Sequence, residues 1–141
     1  MLRYYNQKLI IAGTDEAGRG CLSGPVTSAA VILPENFYHP MLDDSKKLSA
    51  KQRAFLAPII KQEAVSYGIS HVFPDVIDRI NILQASILAM HKSITKLKTI
   101  PEKIIVDGNK FNPYLSIPHE TVVKGDGKFY AIAAASVLAK T

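Results

Sequence analysis

The sequence holds a single cysteine, Cys21, among 141 residues. One thiol excludes an intramolecular disulfide and any metal site built on thiolates, and it fits a reducing cytoplasm. Long apolar runs are missing too: polar or charged residues interrupt every such stretch within about ten positions, too short to span a bilayer. The opening residues, MLRYYNQKLIIAG, lack the apolar core and small-residue cleavage site of a secretory signal. Internal repeats and low-complexity segments are absent. Acids are in short supply, with 12 Asp and Glu against 17 Lys and Arg. That excess suits a polyanionic partner, and equally an ordinary basic protein. The placement of the few acids separates the two.

What is present is a chain with 48% hydrophobic residues, enough for one domain with its own core over residues 1–141. Leu9–Gly13 reads as a buried strand that runs into Thr-Asp-Glu and then glycines. Pro25–Leu33 reads as a second strand, and the proline-punctuated stretch Pro34–Leu48 as a loop. Ser49 has the look of an N-cap for a helix carrying Phe55, Leu56, Ile59 and Ile60, kinked or cut short at Pro58. Ala64–Phe73 alternates as a third strand. Pro74 opens a helical stretch to Lys98, with Ile77, Ile80, Leu83, Ile87, His91 and Ile94 on one face. Lys103–Val106 and Thr121–Val123 read as short strands, and Phe129–Lys140 as an alanine-rich helix. This order predicts an α/β layer fold with a mixed sheet. No C-terminal cap follows Lys140, so the natural protein is expected to continue.

Asp15-Glu16, Asp107 and Asp126 each follow a predicted strand or its short exit. Functional groups of open α/β sheets gather beyond the carboxyl ends of the strands. If the first, fourth and fifth strands lie side by side and parallel, these acids converge. One acid at a strand exit is usually a turn former. Several carboxylates at one point repel one another unless cations neutralise them, and an all-oxygen cluster selects hard ions such as Mg²⁺ or Mn²⁺. Two such ions clamp the attacking and leaving oxygens of a phosphodiester. Adjacent strand residues point to opposite faces, so Asp15 and Glu16 are expected to share a site through a bend at Ala17-Gly18-Arg19-Gly20.

Gly18-Arg19-Gly20 allows close backbone approach to a ligand, with N–H groups free to meet a phosphate or a ribose 2′-OH and an arginine able to pair with phosphate. Alone, the tripeptide is more often a tight surface turn. Here Asp15-Glu16-Ala17-Gly18-Arg19-Gly20, followed by Gly24-Pro25-Val26, resembles the signature of the ribonuclease HII family. Three further stretches resemble it in family order: Asp44-Ser45-Lys46-Lys47-Leu48-Ser49, Val106-Asp107-Gly108-Asn109, and Val123-Lys124-Gly125-Asp126 leading into Ala133-Ala134-Ala135-Ser136-Val137-Leu138-Ala139-Lys140.

The resemblance implies a ribonuclease H-like fold, a five-stranded mixed sheet flanked by helices. It implies Asp15, Glu16, Asp107 and Asp126 as catalytic metal-site acids holding Mn²⁺ or Mg²⁺, and Gly18, Arg19 and Gly20 as the sensor of the 2′-OH beside the scissile phosphate. The implied substrates are RNA–DNA hybrid duplexes and DNA with embedded ribonucleotides, cut to leave 3′-OH and 5′-phosphate ends, as in ribonucleotide excision repair. A cytoplasmic protein, monomeric when complete and without membrane contact, is implied as well. Ser45, Lys46 and Lys47 are expected on the substrate backbone at the lip of the groove, or else in a solvated loop. Two departures stand out. Cys21 replaces the proline common in the family, and the family's C-terminal portion, with its ribose-packing tyrosine and groove-completing helices, is absent from the sequence.

Asp43 and Asp44 read as loop-ordering acids, Asn109 as a turn residue, and Ser136 as a neighbour of substrate. Lys124 and Lys128 flank Asp126, either on phosphates or as ordinary exposed lysines. His71, His91 and His119 have no carboxylate or cysteine at ligand spacing, and His39 lies in a proline-rich loop; all four read as structural or exposed. Competing readings are another two-metal nuclease of the same fold class, or a nucleic-acid-binding fragment with little or no activity.

Overall fold

The computed structural model describes residues 1–18, 24–44 and 47–141. Its centre is a five-stranded mixed sheet of β1 (Ile11–Ala17), β2 (Val26–Ile32), β3 (Ser66–Val72), β4 (Lys103–Asp107) and β5 (His119–Val122), in the order β3-β2-β1-β4-β5. β1 pairs antiparallel with β2 and parallel with β4, and β4 pairs parallel with β5. The expected parallel trio of first, fourth and fifth strands is therefore in place, with β1 in the middle of the sheet.

Helices cover both faces. On one side lie α1 (Pro40–Asp44), α2 (Ala50–Glu63) and α5 (Tyr130–Lys140), packed with Ala29 and Val31 of β2 around Leu56, Ile60, Val137 and Leu138. On the other lie α3 (Pro74–Ile80) and α4 (Ile82–Thr95), whose Ile87, Met90 and Ile94 meet Ala12, Ala30, Ile104 and Val106 of the sheet. The inner strands β1, β2 and β4 are buried on both faces because both are covered, while the edge strands β3 and β5 expose Tyr67, His71 and Glu120. The alanine run of α5 has a packing reason. A Cβ at Gly13 of β1 would sit 2.3 Å from the Ala131 carbonyl carbon, so bare backbone on one side and small side chains on the other bring this helix close to the central strand.

Several expectations about elements need correction. β1 runs to Ala17 rather than ending at Gly13, so Asp15 and Glu16 lie within it. The supposed loop Pro34–Leu48 contains the short helix α1. α2 runs unbroken through Pro58, which costs little because Pro58 and Ala54, the residue one turn back whose carbonyl it cannot pair, are both exposed. Ser49 does cap that helix, in a reciprocal box with Gln52. The stretch Pro74–Lys98 is two helices. Asn81 takes φ 70° and ψ 168°, outside helical values, and its side chain accepts the Gln84 N–H to start α4 afresh. The apolar periodicity hid this break because Val76, Ile77 and Ile80 of α3 and Ile82 and Leu88 of α4 pack on one cluster around Val26, Val72, Ala85 and Ala89.

Candidate metal centre

β1 outlasts its parallel neighbour. β4 pairs only with Ile11–Thr14, whereas β2 accompanies β1 through Ala17. Asp107 is the last residue of β4, and the register that sets Thr14 beside Val106 sets Asp15 beside Asp107 on one face. Glu16 starts from the opposite face. All three nevertheless bring a carboxylate oxygen within 4.8 Å of one another. The pairing of β1 with β2 stays in regular register through Ala17–Thr27. The expected bend at Ala17-Gly18-Arg19-Gly20 falls after this register, and Arg19 and Gly20 lie outside the described residues. β4 ends at Asp107, one residue past its last pair with β1.

The electrostatics follow from this packing. Asp15 is 3% exposed, its Oδ1 accepts the Glu16 N–H at 2.8 Å, and the Ser28 hydroxyl donates to its carbonyl at 2.8 Å. Burial, reinforced by the charges of Asp107 and Glu16, pushes the Asp15 carboxyl up to about 9. Three converging carboxylates with one driven to hold its proton form an all-oxygen site that a hard divalent cation would neutralise, and this donor set fits such an ion.

Asp126 stands apart from this trio. It is exposed in the 3₁₀ turn Gly125–Gly127, where its backbone N–H reaches Asp107 Oδ1 at 3.4 Å while its carboxylate stays outside the 4.8 Å group. Gly18, directly after β1, takes φ +85°, and a Cβ there would fall 2.5 Å from the Pro25 carbonyl oxygen, so the residue must be glycine. Arg19, Gly20, Ser45 and Lys46 lie outside the described residues. Lys47 is exposed on an open pocket shared with Arg53, Asp126, Ser136 and Lys140. Ser136 was anticipated as a neighbour of substrate. Arg53 and Lys140 were not singled out, since a cation on a helix reads as a solvated face. Arg53 donates from Nη1 to the Leu48 carbonyl at 2.7 Å and so ties α2 to the lysine loop. Asp43 accepts the Leu2 N–H at 2.7 Å, in keeping with an ordering role. The histidines make local contacts: His71 with Thr27, His91 with the Asn112 carbonyl, His119 with the Phe111 ring and His39 with the Phe55 ring.

A family model described as ribonuclease HII matches residues 12–141. The chain belongs to the ribonuclease HII family. A curated ribonuclease HII of Christiangramia forsetii is 61% identical over all of the chain, which spans 71% of that relative. One from Bacteroides fragilis is 55% identical, again over the whole chain and 70% of the relative. The ribonuclease H2 of Pyrococcus horikoshii superposes with a TM-score of 0.75 at 28% identity, covering 92% of this chain and 70% of that one. As a ribonuclease HII family member the chain is an enzyme, a ribonuclease H of the hydrolase class, and its sheet and flanking helices are the ribonuclease H-like fold. Among the described residues no helix is long and apolar enough to cross a membrane.

Proposed function

We propose that residues 1–141 form one catalytic domain that hydrolyses the RNA strand of RNA–DNA hybrids and nicks DNA at embedded ribonucleotides, with Mn²⁺ or Mg²⁺ held by Asp15, Glu16, Asp107 and Asp126. The observation that carries this reading is the meeting of Asp15, Glu16 and Asp107 within 4.8 Å at the carboxyl ends of parallel strands, in a chain of this family. When bound, the cations activate a water and stabilise charge on the phosphate, the chemistry that leaves 3′-OH and 5′-phosphate ends. The protein supplies the rest. Asp15, Glu16 and Asp107 fix the site on rigid strands, and Asp126 joins them by a turn of its side chain from the 3₁₀ segment already hydrogen-bonded to Asp107. Gly18 lets the following residues run close to the sugar, where backbone N–H groups of Gly18, Arg19 and Gly20 read the 2′-OH. Lys47, with Ser45 and Lys46, contacts phosphates that position the duplex without reading its sequence. The reading includes a monomer working in the cytoplasm, and the lone Cys21 suits that compartment.

The test is a nicking assay on three duplexes: an RNA–DNA hybrid, DNA with one ribonucleotide, and plain DNA, each with Mn²⁺, Mg²⁺ or chelator. Cleavage of the first two alone, lost in chelator and lost in Asp107→Asn with the fold unchanged, is the expected pattern. Comparable cutting of plain DNA would overturn the sugar-reading assignment, and undiminished activity in Asp107→Asn would overturn the metal centre.

A further inference from the structure

Ser86 lies in the middle of α4 and is 1% exposed, yet its hydroxyl has no hydrogen-bond partner among the described residues. The helix itself offers a remedy that it does not use. Ser93 of the same helix donates to the Met90 carbonyl at 2.8 Å, and Thr95 to the His91 carbonyl at 3.0 Å. A buried hydroxyl left alone is disfavoured unless something else completes it.

Ser86 lines a small cavity whose walls include Glu16, Asp107, Asn109 and Lys110. The cavity has room for one water molecule, which needs two to four polar partners. The sheet register supplies the reason for a polar pocket here. Glu16 stands opposite Ser28, and Ser28 opposite Ser70, so all three point to the face that α4 covers. Ser28 is already committed to the Asp15 carbonyl. Ser86 faces this row from the helix side, with its hydrogen-bonding capacity unspent.

We propose that this cavity is a one-water site, in which Ser86 Oγ holds a water that hydrogen-bonds the carboxylates of Glu16 and Asp107 from behind and sets their orientation toward the cation. Ser86 is a positioning residue that acts through the water and touches neither metal nor substrate. The inference rests on the metal reading above. Carboxylate ligands depend on such outer contacts, and losing one typically costs 10–100-fold in metal affinity or activity.

The experiment measures Mn²⁺ binding directly, by electron paramagnetic resonance of free Mn²⁺ at fixed pH, for the parent chain, Ser86→Ala, Ser86→Thr and Asp107→Asn, with the metal-free melting temperature of each. Ser86→Ala is expected to weaken Mn²⁺ binding by on the order of tenfold, with its metal-free melting temperature close to that of the parent. Ser86→Thr keeps the hydroxyl and is expected to bind within about threefold of the parent. A parent that binds Mn²⁺ and loses it in Asp107→Asn, beside a Ser86→Ala protein that binds as tightly as the parent, overturns this inference and leaves the metal reading standing. A parent that binds no Mn²⁺ overturns both. A lower melting temperature in Ser86→Ala without a change in affinity would make Ser86 a packing residue only, and also overturns the proposal.

Discussion

The raised Asp15 carboxyl makes cation binding a proton-releasing event. With its titration pushed up to about 9 by burial and by Asp107 and Glu16, Asp15 holds its proton at pH 7 without metal. A divalent cation needs the carboxylate, so binding at pH 7 expels about one proton, and affinity should rise roughly tenfold per pH unit until the group titrates on its own. From pH 6 to pH 8 the apparent Mn²⁺ dissociation constant is therefore expected to fall about a hundredfold. Calorimetry in two buffers of different ionisation enthalpy, PIPES and Tris, counts the proton directly. The metal-free fold carries the complementary dependence. The folded-state value lies above the ordinary 3.8, so the folded state binds more protons between about pH 4 and pH 9 and loses stability as pH rises through that window. Asp15→Asn should flatten that loss in the metal-free protein while abolishing the binding. A Mn²⁺ affinity independent of pH between 6 and 8, with no buffer-dependent heat, would refute the argument: Asp15 would then be ionised before the metal arrives.

Other outcomes follow from the packing. Gly13→Ala places a Cβ 2.3 Å from helix backbone at Ala131; it should cost at least about 2 kcal/mol, a fall of roughly 5–10 °C in a thermal melt, and an unchanged melt would show that α5 shifts freely. Ser49→Ala removes the acceptor of the Gln52 N–H at 3.1 Å and should cost about 1 kcal/mol, read by denaturant unfolding. Gly18→Ala combines φ +85° with a 2.5 Å clash on Pro25; it should depress cleavage at an embedded ribonucleotide far more than binding of plain duplex DNA, which rests on phosphates, and equal losses would point to general misfolding.

The acids that the structure brings together, Asp15, Glu16 and Asp107, were legible in the sequence because each ends an apolar run, a signal carried within a few residues. Arg19, Gly20, Ser45 and Lys46 lie outside the described residues. The parallel arrangement of β1, β4 and β5 was inferable for the same reason, since chemistry at strand ends has value only if the ends meet. What stayed hidden depends on distance in sequence. The break at Asn81 follows from one residue's backbone angles while both helices keep the same apolar face. The meeting of Asp15 and Glu16 with Asp107 joins residues some ninety positions apart. Arg53 and Lys140 look like any helical surface cation until folding brings α2 and α5 to one pocket. Ser86 is one serine in an apolar helix, and only the register of three strands gives it a setting.

The central place of β1 also bears on how the protein is made. β2 follows β1 directly in the chain and can pair with it at once as a hairpin partner. The other edge of β1 waits for Lys103–Val106, which the ribosome adds roughly 5–20 seconds later at ordinary elongation rates. During that interval an apolar edge carrying two acids is exposed, open to pairing with a neighbouring nascent chain. Charge beside a strand edge opposes edge-to-edge pairing, and Asp15 and Glu16 stand just past the residues that β4 will cover.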